Sequence, residues 1–173
     1  MFPHTGEERE MAHLWELEEE VFEQIETKVR DHVSEKYTEN KLGIEYLIEE
    51  SVETYPPEVK FEFGWIVFFE NRIVYLKSAW WSERSVIETM EIEEAWTVEG
   101  ISDYGEVRFE IERTDETVEL IMRYKDTKKM ITSCPVKHYD GVDIDYRYPH
   151  RKRQAEHFRD VMARLDKMRE GLG

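Results

Sequence analysis

Met11, Leu14, Trp15, Val21, Phe22, Ile25, Val29 and Val33 recur at helical spacing, and Glu16, Glu19, Glu20, Glu23 and Glu26 fall largely on the other side. That period predicts an amphipathic helix that buries one stripe. Thr5-Gly6-Glu7-Glu8 precedes it as a capping box, in which the Thr5 oxygen accepts from the Glu8 N–H and the Glu8 carboxylate reaches back. Helix is expected to about Glu35. Asn40 to Val52, with Leu42, Tyr46, Leu47 and Ile48, reads as a second, shorter helix whose continuation Pro56-Pro57 forbids. Residues 1–57 are thus expected to be a helical N-terminal extension packed on the same core as the rest.

From Lys60 the period changes to that of strands. Phe61, Phe63, Trp65, Val67 and Phe69 alternate with Glu62, Gly64, Ile66 and Phe68, and Glu70-Asn71 supplies a hairpin turn into Arg72-Ile73-Val74-Tyr75-Leu76. Ile66, Phe68, Val74 and Leu76 are read as apolar surface on the opposite face. Both faces then need cover, one from the C-terminal helix and the other from the N-terminal helices or a second subunit. A third strand is expected over Ser85 to Val98, and a second hairpin over Glu106 to Arg113 and Glu116 to Tyr124, turning at Thr114-Asp115. With a two-residue turn, Ile111 faces Val118, Phe109 faces Leu120 and Val107 faces Met122, so one face of that pair is apolar. The stretch containing Met130-Ile131-Thr132 and Val142 to Tyr146 is undecided by period alone. Pro149 then opens a last helix with Ala155, Phe158, Val161, Met162, Leu165 and Met168 on one face. The fold class is α+β: a twisted antiparallel sheet over residues 58–173 with a C-terminal helix, joined to the N-terminal extension in one folding unit.

The hairpin from Gly64 to Leu76 resembles the opening hairpin of bacterial pleckstrin-homology-like domains. Met90-Glu91-Ile92-Glu93-Glu94-Ala95-Trp96-Thr97-Val98 is similar to their acidic third strand, and Arg151 to Lys167 resembles the helix that caps one open end of their sheet. Over residues 60–170 the resemblance implies a partly open barrel and a binding or scaffolding role. Lipid-binding eukaryotic relatives carry Lys and Arg in the first hairpin loop, where this chain has Glu70-Asn71-Arg72. One arginine beside a glutamate is a poor phosphate trap, so no membrane partner is expected.

Charge sharpens this picture. The chain of 173 residues has a formal net charge of -16, with a strong preference for Glu over Asp that points toward heat adaptation. Residues 1–120 hold 11 Lys and Arg against 32 Asp and Glu, a net of −21, whereas residues 121–173 hold 13 against 8, a net of +5. Such a bipolar chain folds its basic tail onto its acidic body or assembles head to tail with copies of itself. Polyanions are repelled by most of the surface, which argues against nucleic acid. The single cysteine, Cys134, excludes an internal disulfide framework. With no basic and apolar leader pattern at the start, the cytoplasm is the expected setting.

Candidate chemistry is sparse. Cys134, His138, Asp140, Asp143, Asp145 and His150 lie within a short stretch, yet their spacing fits neither a zinc site nor a calcium loop, so no metal and no cofactor is expected. Cys134 is expected to be buried and inert. Arg147, His150, Arg151 and Arg153 gather cations where the last helix begins and are the candidate anion-binding residues; pairing with nearby acids is the alternative. The alternation Phe109-Glu110-Ile111-Glu112-Arg113 resembles the metal-binding strand of triphosphate tunnel enzymes, whose further strands need inward Lys and Arg that this sequence lacks. No catalytic residue is assigned. Trp80 and Trp81, placed in the loop after the second strand, are the candidate partner surface, with core burial as the alternative. The reading is a non-catalytic protein-binding or assembly module, with a protein partner or self-association.

Overall fold

The computed structural model describes residues 6–53, 59–83, 87–101, 104–142 and 154–172; the Thr5 end of the capping box lies outside them. Helix α1 (Gly6–Lys36) leads into strands β1 (Lys41–Glu53), β2 (Val59–Phe69), β3 (Arg72–Glu83) and β4 (Ile87–Glu99). A 3-10 turn at Tyr104–Glu106 precedes β5 (Arg108–Arg113), β6 (Thr117–Tyr124) and β7 (Thr127–Pro135). A short helix α2 (Val136–Tyr139) and a long helix α3 (Gln154–Leu172) complete the chain. The strands form two antiparallel sheets, β1-β2-β3-β4 and β5-β6-β7, so the class is α+β. No helix among the described residues is long and apolar enough to cross a membrane.

The periodicity of α1 works as expected: Val21, Ile25, Val29 and Val33 are buried against Phe61, Phe63, Trp65, Val67 and Phe69 of β2. The region from Asn40 to Val52 does not form the expected helix. It is strand β1, antiparallel to β2 with Tyr46 opposite Trp65, so the sheet begins upstream of the boundary expected at residue 57. Two neighbours favour the extended form. Ile44 and Tyr46 pack toward the α1 side of the sheet, while Glu45, on the other side, accepts from Arg164 of α3 at 2.7 Å. A Cβ at Gly43 would lie 2.9 Å from the Arg164 Cδ, so this close crossing of α3 suits glycine.

The β2–β3 turn at Glu70-Asn71 matches expectation, and its register corrects one assignment. Val67 pairs with Val74 and Trp65 with Leu76, so Val74 and Leu76 share the α1 face. Ile73 and Tyr75 join Ile66 and Phe68 on the other face, where β5–β7 and α3 close over them. In an antiparallel pair directly opposed residues share a face, and a two-residue turn leaves no other arrangement. Both faces of the β2–β3 hairpin are consequently covered, by α1 on one side and by the three-stranded sheet with α3 on the other.

The β5–β6 register also differs from expectation. Ile111 faces Leu120 and Phe109 faces Met122, two residues away from the expected pairing. The connection is longer because the Thr114 hydroxyl accepts from the N–H groups of Glu116 and Thr117, at 3.2 and 2.9 Å, and builds a wider turn. A slip of two preserves the faces, so the apolar side stays inward. The 3-10 turn joins the two sheets. Its buried Tyr104 donates to the Phe69 and Arg72 carbonyls, and burial raises the pKa of its hydroxyl. Arg169 of α3 donates to the Tyr104 carbonyl at 3.1 Å.

Because two cores share one hairpin, loss of either should unfold both. Ile25→Ala is expected to cost about 2–5 kcal/mol. Urea unfolding followed by far-UV and near-UV circular dichroism should show one coincident transition; a separate early loss of helix signal would mean that α1 is an independent layer.

Candidate functional site on the open half of the four-stranded sheet

The face that Ile66 and Tyr75 present to the core between the sheets changes character further along the same strands. At alternate positions β2 continues through Gly64, Glu62 and Lys60, β3 through Lys77, Ala79 and Trp81, and β4 through Glu93, Glu91 and Thr89. The register sets Lys77 between Gly64 and Glu93, and Ala79 between Glu62 and Glu91. Side chains on one face of a sheet meet across strands, so this is one surface. Lys77, Glu91 and Glu93 are exposed and have no ion pair among the described residues. Lys60 bonds Glu62 at 2.9 Å, and its ammonium lies 6.0 Å from the ring centre of half-buried Trp81.

Two hollows adjoin here and share Lys77. The smaller, of about 220 Å³, lies over Lys60, Glu62, Ala79, Glu91 and Glu93. The larger, of about 630 Å³, runs toward the end of the three-stranded sheet and is lined by Thr117, Thr132, Cys134, His138 and Gln154. Gln154 is 5% exposed, and its amide oxygen has no hydrogen-bond partner among the described residues.

The rim of this surface is β4. Among the described residues it pairs only with β3, so the main-chain N–H and C=O groups of its outer side have no ladder partner. From Ile87 to Glu99 it carries Glu88, Glu91, Glu93, Glu94 and Glu99 and no basic residue. An extra residue at Ala95 interrupts the ladder with β3. Glu94 accepts from the Tyr37 hydroxyl at 2.6 Å, which fastens the end of α1 to this edge. Burial, then the Glu94 hydrogen bond, raises the Tyr37 pKa well above the usual phenol range. The opposite edge is covered differently: α3 lies along β1, with Tyr46 bonded to His157 at 3.0 Å and Arg164 to Glu45.

The residues singled out in the sequence are distributed unevenly. Trp80 and Trp81 lie within β3, not in a loop, and consecutive strand residues face opposite ways. Trp80 is 3% exposed and stacks on Phe61 at 5.8 Å in the core under α1, so it offers no surface to a partner. Trp81 lies on the open face. Arg147, His150, Arg151 and Arg153, with Asp143 and Asp145, fall outside the described residues. Asp140 is held by Arg113 through two bonds of 3.0 and 2.7 Å, which lowers its carboxyl below the usual range. Glu110 and Glu112 share Arg123, at 2.6 and 3.0 Å, and Lys128 lies 3.4 Å from Glu112. Among the described residues no three His, Cys, Asp or Glu side chains gather in a group able to hold a metal.

Lys60, Lys77, Glu91 and Glu93 went unrecognised in the sequence. The usable signal was the loss of apolar alternation at the Glu62-Gly64, Lys77 and Glu91-Glu93 ends of three successive strands. No family model, no curated protein and no solved structure matches the chain.

Two measurements follow from these placements. Burial pushes the Cys134 thiol up to about 11, so the native state holds that proton more tightly than the unfolded chain. Cys134 should therefore resist a disulfide reagent at pH 8 until denaturant is added, and its contribution to stability should fade as the pH rises from about 9 toward 11. Trp80→Ala is expected to lower stability by about 3–5 kcal/mol, whereas Trp81→Ala should stay within about 1 kcal/mol of the parent in urea. Equal losses would mean that both rings are core.

Proposed function

We propose that the chain is a non-catalytic protein-binding or assembly module of the pleckstrin-homology-like kind, whose partner supplies an extended, cationic segment that lies along β4. The observation that carries this reading is the 13-residue outer strand with five glutamates, no basic residue and no strand beyond it among the described residues. An exposed ladder offers main-chain hydrogen bonds to an incoming strand, and alternate side chains provide the selectivity. Glutamates on an edge repel a second copy of the same edge, so a strand that docks there must bring positive charge. On the adjoining open face, Glu91 and Glu93 reach toward such a segment while Lys77 and Trp81 lie one strand inward.

The order of antiparallel strands followed by the long helix α3, packed where the two sheets meet, supports the architectural part of the reading. Glu110 and Glu112 spend their charge on Arg123 and Lys128, which favours a structural role over holding a metal. The proposed setting is the cytoplasm, in keeping with a lone cysteine buried as a thiol. The acidic rim makes nucleic acid and anionic membranes poor partners.

Panning a random peptide library on the immobilised chain tests the reading. Enriched peptides should be net positive, and their capture should fall at least tenfold with Glu91→Lys/Glu93→Lys while Glu106→Lys leaves it unchanged. Enrichment of neutral or acidic peptides that bind the double variant equally well would overturn it.

A further inference from the structure

We infer that the cationic partner is a second copy of this chain, which docks edge strand β7 against β4 in a head-to-tail contact. This rests on the reading of β4 given above and names its occupant.

The three-stranded sheet has the order β5-β6-β7, so β7 is, among the described residues, a second edge without a neighbour. Its charge is opposite to that of β4. Lys128 and Lys129 lie in Thr127–Pro135, which contains no acid, and Lys125 precedes them in the hairpin turn. Met130 lies beside the lysines and is 54% exposed, one of two large apolar side chains in that state among the described residues. The ladder between β6 and β7 is irregular at Ile131, which divides the edge into two regular runs, Thr127 to Met130 and Thr132 to Pro135. The cations and the exposed methionine are on the first of these runs. On β4 the matching stretch is Ile87 to Glu94, before the extra residue at Ala95.

The fold's internal ion pairs explain why these lysines remain for another molecule. The C-terminal third is net positive, and three of its described arginines are used within the chain: Arg123 by Glu110 and Glu112, Arg164 by Glu45, Arg169 by Asp166. Lys125 and Lys129 have no ion pair among the described residues, and Lys128 has one 3.4 Å contact to Glu112 with half of its side chain exposed. The acidic excess on β4 and the basic excess on β7 thus remain on two edges of one molecule. A contact between different surfaces of identical copies is heterologous, so it propagates from copy to copy or closes into a ring.

Sedimentation velocity on the full chain tests this at about 50 mM and about 500 mM salt, where screening separates exposed charge pairs from apolar contacts. The native chain should associate with concentration at low salt, and association should weaken roughly tenfold or more at high salt. Glu91→Lys/Glu93→Lys and Lys128→Glu/Lys129→Glu should each be folded by circular dichroism and monomeric alone. Mixed in equal amounts they should associate again, because each variant then meets edges of opposite sign on the other. Should either charge reversal unfold the chain, Glu91→Gln/Glu93→Gln and Lys128→Gln/Lys129→Gln replace the pair, each expected to weaken association. A native chain that stays monomeric at low salt, or variants that associate as it does, would overturn the self-docking. Capture of cationic peptides by a monomeric native chain would leave the reading of β4 intact and remove only this one; failure of both experiments would remove both.

Discussion

A hairpin buried on both faces is the constraint from which the rest of this structure follows. β2 and β3 contribute Phe61, Phe63, Trp65, Val67, Val74 and Leu76 to one core and Ile66, Phe68, Ile73 and Tyr75 to the other. Two strands with apolar side chains in both directions cannot stand at a surface, so a layer is required on each side. The two-residue turn at Glu70-Asn71 sets which residue belongs to which core, and a slip of one position would exchange the two sets. The indole at the centre of this hairpin is paired: the Trp65 Nε1–H donates to the Ser78 hydroxyl at 2.7 Å, and that hydroxyl donates to the Phe63 carbonyl at 3.1 Å. Such pairing avoids leaving a donor dry in the core.

The open face arises because the strands of the first sheet outrun the second. β2, β3 and β4 have 11, 12 and 13 residues, whereas β5, β6 and β7 have 6, 8 and 9. Where the shorter sheet no longer covers the longer one, the inward positions change from Tyr75 and Ile66 to Lys77, Gly64 and Glu62. The edges divide by the same logic. β1 is guarded by α3 through Tyr46, Glu45 and Gly43, whereas the outer side of β4 displays carboxylates.

Much of this was legible in the chain wherever a pattern was long or a turn short. The apolar stripe of α1 recurs from Met11 to Val33, about six turns, and the first hairpin carries dense alternation, so both appear where they were expected. β1 was misread because Leu42, Tyr46 and Ile48 fit a helical period over a short window, and its extended form depends on β2 and α3, distant in sequence. The second hairpin kept its faces and changed its offset, because a hydroxyl at Thr114 widened the turn. β7 escaped notice because the irregularity at Ile131 breaks its alternation. Of the candidate site, Trp81 was visible as an aromatic in a polar context, but not its separation from Trp80. The company of Lys60, Lys77 and Glu93 depends on cross-strand register, which composition does not encode.

The longer sheet also separates two kinds of selection along the same strands. Positions near the hairpin turn, such as Phe68 and Ile73, answer to packing on both sides, and few replacements there keep the interior filled. Lys77, Glu91 and Glu93, a few residues further along, touch no core, so exchanges among them change what the surface attracts at little cost to folding. Distant, independent sites add their effects, which lets the charge at this end of the molecule vary while the anchored end stays constant.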